Sequence, residues 1–95
     1  KAVDFNENDG YAYYYLALAK NKLFKYDDAI KDGEKALELL DKEEDKEQIA
    51  KVHLQMGIAY ASLGQKEKGC EYLEKAEYGK SATKARKEQD SFECK

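Results

Sequence analysis

A spacing of 40 residues runs through this chain and constrains its fold more than any other feature. Leu16-Ala17, Ala29 and Ala36 return as Met56-Gly57, Gly69 and Ala76, each 40 positions later. Tyr13 returns as His53 and Leu23 as Leu63, while Glu77 stands where Leu37 would recur. Repetition at a period of roughly 20–50 residues marks stacked supersecondary units, none of which buries its apolar face alone. Where two antiparallel helices cross closely, a bulky side chain would hold their backbones apart. Ala17, Ala29, Gly57 and Gly69 let them approach, with Tyr13, Leu16 and Met56 filling the flanking grooves.

A partial third copy stands at the start. Ala2-Val3-Asp4-Phe5 resembles Ala36-Leu37-Glu38-Leu39 at an offset of 34. Residues 1–5 therefore read as the last turns of a repeat whose first part is absent, and 6–10 as a turn in which Asn8 or Asp9 caps the next helix. The chain opens on Lys1 and its only methionine is Met56, so a fragment or processed chain is expected.

Periodicity predicts five helices. The first, about Tyr11 to Phe24, is apolar nearly all round, a pattern suited to packing on several sides. After a turn at Lys25-Tyr26, the second spans about Asp27 to Leu40 with a stripe of Ala29, Ile30, Gly33, Ala36, Leu37 and Leu40. The third, about Lys46 to Leu63, carries Ile49, Val52, Met56, Tyr60 and Leu63 on one face, and Gly64 supplies a left-handed cap. The fourth runs from about Lys66 to Tyr78 with Cys70, Leu73 and Ala76 inward. The fifth, about Ser81 to Glu93, turns Ala82, Ala85, Gln89 and Phe92 inward. With no proline and many Glu, Lys, Leu and Ala residues, nothing interrupts a helical reading.

These residues resemble the tetratricopeptide repeat, whose pattern is an aromatic, two residues, Leu-Gly, two residues, Tyr, and later Ala, three residues, Phe. The first copy reads Tyr13, Leu16-Ala17, Lys20, Ala29 and Gly33, and the second His53, Met56-Gly57, Tyr60, Gly69 and Leu73. The string YDDAIKDGEKALEL, Tyr26 to Leu39, carries the strongest match. Lys20 stands where the family prefers an aromatic and Gly33 where it prefers a large residue. The insertion DKEEDKEQ, Asp41 to Gln48, lengthens the period from 34 to 40 and is read as a solvated linker or helix extension. The resemblance implies an all-α fold of antiparallel helix-turn-helix repeats stacked as an α-solenoid. Its divisions would be the end of an upstream repeat with its turn (1–9), a first repeat (10–45), a second (46–79) and a C-terminal closing helix (80–95).

Composition narrows function. Charged residues are 39%, but 17 basic against 20 acidic leave a net charge of −3, without the basic excess that phosphate neutralisation needs. No stretch approaches the roughly 20 apolar residues that cross a bilayer. Hydrophobic residues at 42% are too many for a disordered tail. Nucleic acid and membrane are therefore not expected partners. The lysines near the end, Lys80, Lys84 and Lys87, with Arg86, read as the exposed face of the closing helix, interspersed with Glu88 and Asp90. His53, the only histidine, fills an aromatic position and is expected to pack between helices. No nucleophile-base constellation or metal-ligand spacing accompanies it, so neither an enzyme nor a metal or other cofactor is expected.

Cys70 lies 9 residues before Gly79 and Cys94 lies 14 beyond Lys80. For two antiparallel helices that mismatch is about 7 Å along the axes, at the edge of what a disulfide tolerates. Cys70 is thus expected as a small buried apolar residue, with the pairing left open. Cysteine usage does not fix the compartment. The cytoplasm is the default, alongside an exported or periplasmic chain.

The expected function is protein binding. Tyr11, Tyr13, Tyr14 and Tyr15 crowd one turn and cannot all enter one core. In the repeat register Tyr13 faces the partner helix, while Tyr11, Tyr14, Leu18 and Asn21 line the concave side. Lys51, Leu54, Ile58 and Ala61, with Gln55 beside them, follow in the second copy. In tetratricopeptide proteins this side receives an extended peptide or helix, and tyrosine offers rigid apolar area plus a hydroxyl. Only Asn21 and Lys51 suit the family's basic clamp for acidic chaperone tails, so an apolar or aromatic peptide is expected. Two other readings compete. The tyrosine face packs on a neighbouring repeat, or the chain self-associates into homo-oligomers through open repeat edges.

Overall fold

Two aspartates start the first and third helices and four left-handed residues end segments of the chain. The computed structural model describes residues 9–41 and 45–94; the expected upstream repeat end at 1–5, the first part of the turn, and 42–44 of the acidic insertion lie outside them. Helix α1 (Gly10–Lys22) is capped by Asp9, whose carboxylate accepts the Tyr11 N–H at 2.9 Å. It closes at Phe24, φ 63°, where the Lys25 N–H reaches back to the Lys20 carbonyl at 2.8 Å. Helix α2 (Tyr26–Asp41) follows at once. Helix α3 (Lys46–Ser62) repeats the design: Asp45 accepts the Gln48 N–H at 3.1 Å, and at Gly64, φ 90°, the Gln65 N–H reaches the Tyr60 carbonyl at 2.9 Å. The two closing turns are thus built from hydrogen bonds 40 residues apart. Helices α4 (Lys66–Lys75) and α5 (Ser81–Ser91) are joined through Gly79, φ 55°. All five elements are helical, and no helix among the described residues is long and apolar enough to cross a membrane.

Packing follows the small residues. The α2–α3 core joins Ala36 and Leu40 to Val52, Met56 and Tyr60, with Tyr11, Tyr13 and Tyr14 packed against it. A patch of alanines alone, Ala17, Ala29 and Ala59, lies where α1, α2 and α3 meet. Gly33 gives Met56 its room: a Cβ there would lie 2.5 Å from the Met56 Cγ. At the α3–α4 crossing the approach is backbone on backbone, since a Cβ on Gly69 would lie 2.7 Å from the Ala61 nitrogen and 2.9 Å from the Gly57 oxygen. Leu54, Leu73, Ala76 and Ala85 form a further core that anchors α5.

Each helix packs on its neighbours in the chain, and α3 also touches both α1 and α5, whereas α2 and α4 do not meet. The odd helices therefore stand side by side with α3 in the middle, in a molecule of 41 × 27 × 20 Å. This order corrects one expectation. The helix packed on several sides is α3, with nine buried residues; α1 buries only Gly10, Ala17 and Asn21 and leaves Tyr15 63% exposed. An all-round apolar pattern does not reveal whether neighbours stand on every side.

Cysteine geometry corrects another. Cys70 and Cys94 are joined in a disulfide with Cα atoms 5.5 Å apart. The axial count assumed that both helices run on to their cysteines. Instead α5 stops at Ser91, Glu93 turns left-handed at φ 56°, and the Cys94 N–H folds back onto the Gln89 carbonyl at 2.9 Å. That turn cancels the mismatch. The expected end of α4 also shifts, because the helix closes at Lys75 and the connector starts three residues earlier.

Candidate functional site

A groove of about 740 Å³ runs over α3 with α1 and α5 as its walls. Its floor is α3, where Lys51, Leu54, Gln55 and Ile58 recur at helical spacing. From α1 come Tyr14, Leu18 and Lys22, again about one turn apart. From α5 come Ser81, Lys84, Lys87 and Glu88, with Lys80 just before the helix. Of the residues that the repeat register places on the concave side, Tyr14, Leu18, Lys51, Leu54, Gln55 and Ile58 come together here.

Tyr11 and Asn21 do not line it. The Tyr11 hydroxyl donates to the Asp45 carboxylate, tying α1 to the start of α3. That bond, then the Gln48 amide and Lys51, hold the Asp45 carboxyl below its ordinary value against a smaller opposing effect of desolvation. Asn21 is buried at the far end of α1. Its amide donates to the Gln55 carbonyl at 3.0 Å and to the Gln55 side-chain oxygen at 2.8 Å. Asn21 thus positions a floor residue from behind.

Burial, followed by the neighbouring Tyr15, pushes the Tyr14 phenol above its ordinary value, so its hydroxyl remains a donor across neutral pH. The rings of Tyr14 and Tyr15 meet edge to face, 5.1 Å apart. His53 is far from this chemistry. It is half-buried on the other side of α3, its ring 5.7 Å from that of Tyr72, and desolvation, then Lys75, lowers its pKa. Tyr72 in turn packs edge to face on Tyr60 at 5.2 Å.

The basic wall of α5 was not assigned to the site by sequence reasoning. A signal existed: Lys80, Lys84 and Lys87 lie at i, i+4 and i+7, one helix face, opposite buried Ala85 and Gln89. What the spacing cannot give is the side of α3 on which that helix lands. Gln89 sets it, donating to the Leu73 carbonyl at 3.4 Å and to Glu77, together with the disulfide. Comparison with protein-family models, curated proteins and solved structures finds no match.

Proposed function

We propose that this chain is a tetratricopeptide-like helical-repeat module that holds a segment of another protein in the groove across α1, α3 and α5. One observation carries the reading: side chains that the 40-residue register assigns to one side of two repeats converge on a single cleft. Leu18 and Ile58 offer apolar contact there, over the buried Leu54, and Tyr14 a ring with a hydroxyl, the mixture that anchors partner segments. Its lining spans three helices, which suits a chain segment. We read the module as a binding scaffold, without catalysis. The Cys70–Cys94 bridge favours an oxidising compartment, hence an exported chain, over the cytoplasmic default.

Selection from a displayed peptide library against the immobilised chain tests the proposal, with a Leu18→Asp, Ile58→Asp double variant as the counter-target. Peptides that bind the wild type and lose the double variant are expected. Failure to select any peptide, or selected peptides that ignore the two substitutions, would overturn it. Self-stacking through the α1 edge is the second reading, favoured by exposed Tyr15. It predicts concentration-dependent growth in light scattering that Tyr15→Lys abolishes.

A further inference from the structure

Lys22, Lys51, Lys80, Lys84 and Lys87 surround the groove, and Glu88 is the one carboxylate among its lining residues. The chain as a whole carries net charge −3, so cations have been gathered here against the overall balance. None of the five ammonium groups forms an ion pair with a described residue; the ion pairs are Lys20–Asp32, Lys35–Glu38, Lys75–Glu71 and Arg86–Glu77. Lys51 acts on Asp45 only at longer range. Acidic residues collect elsewhere: Glu34, Glu38 and Asp41 beside His53, and Glu67, Glu71 and Glu74 near the disulfide. Five cations against one lining carboxylate favour an anionic occupant and repel a cationic one.

Resting on the groove reading above, we infer that the occupant is an acidic segment of a partner protein that also carries apolar side chains. Its apolar residues lie on Leu18 and Ile58, and its internal Asp and Glu carboxylates meet the lysines of the rim. The apolar area decides between anions. A phosphate backbone would leave Leu18 and Ile58 without contact, whereas an acidic amphipathic segment satisfies floor and rim together. Because Lys80, Lys84 and Lys87 spread along the α5 wall, no free terminal carboxylate is required.

Fluorescence anisotropy with the full chain tests this. The probe is an acetylated, amidated peptide of about 16 residues, with leucines at i, i+3, i+4 and i+7 and glutamates between them. Its analogues replace every glutamate by glutamine or by lysine. The acidic peptide is expected to bind at least about tenfold tighter than the glutamine form, to weaken as salt shortens the ~10 Å screening length, and to outcompete the lysine form. Lys80→Glu, Lys84→Glu, Lys87→Glu together should reverse that order. Lys25→Glu, Lys31→Glu, Lys66→Glu, an equal charge change outside the groove, should preserve it. Equal binding of acidic and glutamine forms would overturn the charge inference and leave the groove reading standing. If no form binds, the groove reading itself fails. Tighter binding to phosphatidylserine vesicles or to single-stranded DNA, displacing the peptide, would assign the lysines to another anion and overturn the inference.

Discussion

Phe24 sits at a backbone angle that glycine adopts freely and other residues adopt at a cost of about 1 kcal/mol. The residue 40 positions later is Gly64, also left-handed, and Phe24 is 77% exposed, so little packing opposes a change. Phe24→Gly should stabilise the chain by about 0.5–1 kcal/mol, less whatever its edge contact with Tyr26 contributes. Chemical denaturation checks it; an unchanged or lower midpoint would show that the ring contact outweighs the strain. His53 makes a different residue-scale prediction. Its folded pKa is lowered from 6.5, so its contribution to stability is complete above that value and is lost as pH falls through the folded value. Melting curves from pH 7 to pH 5 should therefore fall more steeply for the wild type than for His53→Gln. Identical slopes would contradict the desolvation argument. The ring is partly exposed, so screening keeps the difference small.

At the scale of elements, α3 and α4 meet backbone on backbone. A methyl on Gly69 would meet backbone atoms, which cannot rotate away as a side chain can. Gly69→Ala should cost about 1–3 kcal/mol of overpacking against about 1 kcal/mol gained in helix propensity, lowering the melting temperature by a few degrees. A rise would mean that the helices separate without penalty. The α5 wall depends on a bridge across 24 residues of sequence, for which chain entropy gives about 3.5 kcal/mol. Reductant should lower wild-type stability by about that amount and leave Cys70→Ser, Cys94→Ser unchanged. If reductant has no effect on the wild type, the staple is not holding α5. These elements were unequally legible in the sequence. Helix positions came out within three residues, because Asp9, Asp45 and Gly64 are local signals. The bridge did not, because Glu93 turns left-handed without a glycine to announce it.

For the whole molecule, the sequence carries which side chains share a face but little about how helices land on each other. Tyr14, Leu18, Leu54 and Ile58 could be grouped from spacing alone. Placing Asn21 behind Gln55 required the α1–α3 crossing, and placing Lys80, Lys84 and Lys87 in the groove required the direction of α5. Both are tertiary facts. Together they divide the surface into a basic groove on the odd helices and acidic patches on α2 and α4. The most direct test for a partner segment held in that groove is an amide chemical-shift titration of the isotope-labelled chain with the tightest peptide from the library selection. Shifts are expected at Leu18, Leu54, Ile58 and the first two turns of α5, with the outer faces of α2 and α4 unmoved. Shifts centred on α2 and α4, with the groove residues silent, would contradict it.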